Sequence, residues 1–130
     1  MPPEQPDLND PNLWLVYAKS DLALARVGRS PDVRLGSLCY LCQQSAEKSL
    51  KAVLLHHKID FPPTHNLNKL FKLMPPPISA PPDVMESVDL SEFVLKGRYP
   101  VEFVDIPSED YEKAVKMAER VLRWAEKALK

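Results

Sequence analysis

The fourteen residues from Leu41 to Leu54, L-C-Q-Q-S-A-E-K-S-L-K-A-V-L, constrain the fold of this chain more than any other stretch. Around and within them, Leu35, Leu38, Cys39, Cys42, Ala46, Leu50, Val53 and Leu54 fall three and four apart, the stripe of a helix that buries one side. A second row runs Tyr40, Gln43, Gln44, Glu47, Lys51. Amides and charges on such a row need pairing wherever they are buried, so it meets water or a second polar surface, either a partner subunit or a ligand.

The rest of the chain punctuates itself. Residues 1–10 read as a flexible arm and 11–130 as one helical domain. Pro11 suits the first turn of a helix and Asp10 offers it an N-cap oxygen. That first helix runs to about Val27, supplies apolar surface through Trp14, Val16, Tyr17, Ala18, Leu22 and Ala25, and stops at Gly28. After a turn holding Pro31 and Asp32, the second helix extends from about Val33 to Lys58.

Seven of the fourteen prolines lie between Asp60 and Pro82, where only a short helix fits, from Leu67 to Met74, capped by Asn66 or Thr64. Flanking prolines stiffen this connection and lower the entropy lost on ordering it. A fourth main stretch is expected from about Asp83 to Lys96, with Val84, Val88, Ser91 and Leu95 in register and Gly97 as its stop.

The last helix starts behind Pro107 with Ser108 as the expected N-cap, and Glu109 and Asp110 oppose the positive end of its dipole. Its apolar row is Tyr111, Ala114, Val115, Ala118, Val121, Leu122, Ala125 and Leu129. Glu-then-base pairs four apart, such as Glu112 with Lys116 and Glu119 with Arg123, mark the solvated face.

No segment alternates cleanly enough for a strand; Tyr99 to Ile106 is broken by Pro100 and ended by Pro107. The expected fold is therefore all-α, an antiparallel up-and-down bundle of four main helices plus one short helix.

Charge and composition then exclude several functions. With 17 basic and 18 acidic residues the formal charge is −1, so no global basic field draws in nucleic acid or anionic lipid. No apolar run approaches the roughly 18 residues needed to cross a bilayer, and residues 1–10 are proline-rich and acidic, unlike a secretory leader. A cytoplasmic protein without membrane contact is expected.

Cys39 and Cys42 have C-x-x-C spacing, which suits either a redox pair or half a zinc site. They sit on the apolar stripe with no strand feeding the helix, so core packing is the favoured reading, and neither a metal nor a cofactor is expected.

Three pieces in order, Gln43-Gln44-Ser45-Ala46-Glu47-Lys48-Ser49-Leu50-Lys51, Thr64-His65-Asn66-Leu67 and Arg98-Tyr99-Pro100, resemble the HEPN domain family. The Asp21-Leu22 step and the Ala118-Glu119-Arg120-Val121 run extend the resemblance over roughly residues 11 to 129. It implies an all-helical bundle, a homodimer, and pairing with a minimal nucleotidyltransferase, in some cases as a toxin–antitoxin system. It also implies a role with nucleotides or RNA.

Many HEPN proteins are metal-independent ribonucleases with an Arg followed, four to six residues later, by a His. The Arg stabilises phosphate charge and the His moves a proton near neutral pH. This chain departs from that pattern: no His follows Arg98 before the C-terminus, and Arg26, Arg29 and Arg34 also lack one at the required distance.

The candidate ligand-binding residues are Gln43, Gln44, Glu47, Lys48, Lys51, Arg98 and Tyr99, and the candidate catalytic pair is Arg98 with His65. Each has a structural alternative. The Arg98 fork can hold a phosphate in two places or pin its loop to Glu47 or Glu102. His65 either shapes the turn before the short helix or carries a proton. Tyr99 either stacks on a base or packs beside its proline. His56 and His57, at the end of the second helix, suit the negative end of its dipole.

Three functions follow for comparison. The first is a non-catalytic dimeric module for nucleotide or RNA that partners a nucleotidyltransferase. The second is an RNA-cleaving enzyme using Arg98 with His65. The third is a helical adaptor with a purely structural role.

Overall fold

A computed structural model of the chain describes residues 7–28, 30–92 and 106–130. Helix α1 spans Pro11–Ala25, α2 Leu35–His56 and the short α3 Leu67–Lys72. A 3-10 turn at Pro76–Ile78 leads to α4, Pro82–Met85, which winds on as 3-10 helix over Glu86–Ser91; α5 is Ser108–Ala128. The result is an all-α antiparallel bundle, and no strand forms among the described residues.

α2 is the central rod, packed on α1 along one side and on α5 along another. Its stripe is fully enclosed: Cys42, Ala46, Leu50, Val53 and Leu54 have no exposed surface. Ala18, Ala46, Ala114, Ala118 and Ala125 meet around it, and their small size lets three helices approach closely. Two polar contacts tie the rods together. Ser45 Oγ donates to the Ala18 carbonyl of α1 at 2.7 Å, and the Tyr111 hydroxyl of α5 donates to the Ala25 carbonyl at 2.6 Å.

The helix ends explain how the chain turns. Asp10 accepts from the Asn12 amide at 2.9 Å and caps α1 as expected. Gly28 follows at φ +83°, which reverses the chain at a backbone angle that side chains disfavour. α2 ends in a six-residue Schellman loop: Lys58 adopts φ +58°, the Ile59 amide donates to the Leu54 carbonyl at 2.8 Å, and the Lys58 amide donates to the Leu55 carbonyl at 3.0 Å. Asn66 caps α3 by accepting from the Lys69 amide, while Thr64 Oγ1 accepts from the Asn66 amide.

Local details differ from the sequence expectation in three places. At α5 the cap position falls on Pro107, in extended conformation, and Ser108 is already the first helical residue. Burial along 82–91 follows Val84, Ser87 and Leu90, three apart, because this stretch winds as 3-10 helix after one α turn; Val88 and Ser91 are only half-buried. The remainder of the expected fourth helix, residues 93–96, lies outside the described residues. On α1, Val16 and Tyr17 face outward, although helical spacing alone groups them with the buried Ala18, Leu22 and Ala25.

Candidate functional site

The polar row on α2 finds its partners within the chain. Glu47 is only 4% exposed and Lys51 only 7%, yet neither is an isolated buried charge. Lys51 Nζ donates to Glu47 Oε2 at 3.0 Å, one helical turn away. The same ammonium lies 5.7 Å from the centre of the Trp14 ring and 5.5 Å from that of Phe61, and these two rings meet edge to face. Aromatic faces stabilise a cation that has given up most of its water.

Glu47's other oxygen turns to the loop before α3. His65 Nδ1 lies 2.8 Å from Glu47 Oε1, and since a carboxylate only accepts, the ring donates from Nδ1. The His65 side chain is 55% exposed. Gln43, fully buried, fixes the backbone of the same residue by donating to the His65 carbonyl at 2.9 Å, with a longer 3.4 Å contact to Glu47 Oε1. Gln44 completes the chain of contacts by donating to Gln43 Oε1 at 2.8 Å.

This arrangement braces α2, α1 and the α2–α3 loop, and it orients one imidazole. A carboxylate bonded to one ring nitrogen fixes the orientation of a histidine, as it does where a histidine moves a proton.

Lys48 points elsewhere. It pairs with Asp21 of α1 at 2.6 Å and lies 5.9 Å from the Tyr17 ring centre. Of the sequence-predicted residues, the structure therefore gathers Gln43, Gln44, Glu47, Lys51 and His65 and sets Lys48 apart with Asp21. Arg98 and Tyr99 lie outside the described residues. Sequence reasoning misses the Trp14 and Phe61 rings around Lys51; the available signal is an aromatic residue on each segment flanking a lysine beside the core stripe.

Both cysteines are buried core residues with free thiols. Burial pushes the Cys39 thiol up to about 12, with the Asp110 charge adding to it. Cys42 is likewise pushed up to about 12, first by burial and then by Cys39, against a smaller opposing pull from Arg26. Thiols held protonated in this way are poor nucleophiles and poor metal ligands. Among the described residues, no group of three or more His, Cys, Asp or Glu side chains could hold a metal ion. Nor is any helix among them long and apolar enough to cross a membrane.

An all-helical bundle with an amphipathic central rod defines a class shared by many proteins, and comparison narrows it. The HEPN domain family matches residues 12–128, so the chain belongs to the HEPN domain family. The fold is similar to that of TT1696 from Thermus thermophilus, with 25% identity, a TM-score of 0.76, and coverage of 94% of this chain and 100% of that one. It is also similar to ST0689, an archaeal HEPN homologue, with 24% identity, a TM-score of 0.72, and coverage of 92% and 98% respectively. No curated protein matches the sequence significantly.

Proposed function

We propose that this HEPN-domain chain is a non-catalytic, dimeric module that binds a nucleotide or RNA and partners a minimal nucleotidyltransferase in the cytoplasm. One observation carries the non-catalytic part of the reading and leaves ligand contact to groups outside this network: Gln43, Glu47 and Lys51, the polar groups of α2 otherwise best suited to proton transfer or phosphate contact, are engaged with one another and with the His65 segment. A saturated buried network stabilises a fold and leaves little bonding capacity for a substrate. The absence of a His after Arg98 in the sequence agrees with it. Measuring the mass of the purified chain in solution while titrating ATP and short RNA tests the proposal; a strict monomer that ignores both ligands removes it.

A second reading has one specific observation in its favour. The 2.8 Å contact from Glu47 orients His65 as an acid–base residue would be oriented, which suits a ribonuclease that uses Arg98 for phosphate charge and His65 for the proton. RNA incubated with the wild type, Arg98→Ala and His65→Ala separates the two readings. Cleavage lost in both variants supports the enzyme, and no cleavage by any of the three supports the binding module.

A further inference from the structure

α1 is apolar on two sides. Ala18, Leu22 and Ala25 close onto the core, while Val16, Tyr17, Leu24 and Val27 stand exposed on the outside, Val27 to 71%. The outer side has the repeat of a helix seam: Leu13, Val16, Ser20, Ala23 and Val27 follow one another at steps of three and four residues, over about 21 Å. Ser20 and Ala23 are small and exposed, which leaves room at mid-seam for a second backbone to approach. Along one flank run Asn12, Lys19 and Arg26, seven apart and all exposed. An apolar seam edged by charge of one sign is the arrangement by which one helix selects another.

The seam starts at a cleft of about 210 Å³, lined by Leu8, Leu13, Trp14, Tyr17 and Lys48. Its indole wall is fixed in place, because Trp14 Nε1 donates to the Leu8 carbonyl at 2.8 Å. The ammonium groups beside its two aromatic rings are already balanced. Lys48, over Tyr17, pairs with Asp21 of α1 at 2.6 Å, and Lys51, over Trp14, pairs with Glu47 at 3.0 Å. With neither cation spare for a phosphate, the cleft suits a bulky apolar side chain. We infer that this face receives an amphipathic helix of another protein, which seats a leucine or aromatic anchor in the cleft and sets acidic side chains along the Lys19 flank. That surface is independent of the ligand, copy number and enzyme partner of the proposed function.

Shape and charge select a foreign helix over a second copy. Two α1 helices crossing antiparallel at their small residues would stack exposed Val16 on exposed Val27 and set the cleft against the turn at Gly28, which has no side chain to fill it. The same pairing would lay the Lys19 flank against its own counterpart. Asp21, the one acidic residue of α1, is engaged with Lys48, so a second α1 has no free carboxylate to offer. A parallel pair would turn Lys19 toward the other copy's Tyr17 and Leu24 and leave it equally unanswered. Arg26 shares Glu119, whereas Lys19 has no ion-pair partner among the described residues. A glutamate on the arriving helix answers Lys19 and fixes the register in which the anchor meets the cleft.

The test titrates the whole chain into a fluorescent synthetic helix of about three heptads, with leucine at its seam positions, one phenylalanine anchor and glutamate along one flank. Anisotropy is expected to show binding that weakens about tenfold or more when lysine replaces the glutamates, or alanine the phenylalanine. Val27→Asp and Ala23→Arg alter only exposed positions, so each is expected to cost about tenfold or more in affinity while helical content and melting temperature stay near wild type. Lys19→Glu is expected to reverse the preference, toward the lysine-flanked helix. No binding of the glutamate-flanked helix, or a preference that Lys19→Glu leaves unchanged, overturns the inference. So does sedimentation showing that the chain alone forms a dimer which Val27→Asp dissociates, because a second copy then occupies the face.

Discussion

His65 Nδ1 and Glu47 Oε1 are 2.8 Å apart although 18 residues separate them, which fastens the loop before α3 to the middle of α2. The carboxylate serves two partners at once, His65 through one oxygen and Lys51 through the other. Glu47 is therefore the group whose removal disturbs most, because it leaves a nearly buried ammonium with only aromatic faces as company.

Glu47→Gln is expected to destabilise the fold by about 3 kcal/mol, the usual scale for breaking a buried ion pair from one side. Glu47→Gln combined with Lys51→Met is expected to recover more than half of that, because the methionine needs no counter-charge and fits between Trp14 and Phe61. Urea unfolding of the two variants beside the wild type measures both quantities. A single variant within about 0.5 kcal/mol of wild type, the ordinary range for surface changes, would show that the cluster does not brace the fold.

Lys58 offers a gain in stability. Its φ of +58° places a side chain in the left-handed region, where residues other than glycine are disfavoured by roughly 1–2 kcal/mol. Lys58→Gly relieves that strain but adds freedom to the unfolded chain, so the net expectation is a stabilisation of about 0.5–1 kcal/mol. Thermal unfolding followed by circular dichroism reads the change; a lower melting temperature would mean that the lysine side chain contributes more than its backbone costs.

The same position shows what can and cannot be read from residue order. The stripe on α2 is legible because a 22-residue helix repeats its buried positions several times over. Residue order puts its end near Lys58, with no glycine to mark the reversal; the structure closes α2 at His56 through backbone bonds from Lys58 and Ile59 that composition does not encode. The Asp10 and Asn66 caps are legible because a single side chain makes each of them. Val84, Ser87 and Leu90 are not, since a short run fits α and 3-10 spacing equally well and the surrounding packing decides.

For the site, helical spacing alone groups Gln43, Glu47 and Lys51. The role of His65 as their partner depends on how the proline-rich connection folds back, a non-local fact. The outward face of Val16 and Tyr17 has the same origin: α1 is apolar on both sides, so its own pattern does not say which side the core takes.

Ser87 is buried on the 3-10 turn, and among the described residues its hydroxyl finds no hydrogen-bond partner. An unpaired buried hydroxyl costs roughly 1–3 kcal/mol of desolvation, and an alanine removes that cost while leaving a gap of only one atom. Ser87→Ala is expected to raise stability by up to about 1 kcal/mol in urea unfolding. A loss of about 1 kcal/mol or more, on the scale of a removed hydrogen bond, would instead reveal a partner for this hydroxyl.

Alkaline stability provides a check on the core itself. Folding raises the Cys39 and Cys42 thiols from 9.0 to about 12, chiefly through burial, so between these values the folded protein keeps protons that the unfolded chain has released. The stabilisation linked to them is whole below pH 9 and is lost as pH climbs toward 12, with a slope of up to about 1.4 kcal/mol per pH unit for each thiol. Replacing both with alanine lowers stability at neutral pH by leaving small cavities, yet it is expected to flatten the decline between about pH 9 and 11 relative to wild type. Urea unfolding of both proteins across that range separates the two effects, because the cavity term is the same at every pH and the proton-linked term is not. Parallel curves for wild type and variant would mean that the thiols reach solvent before the fold opens, contrary to their enclosure between α1, α2 and α5.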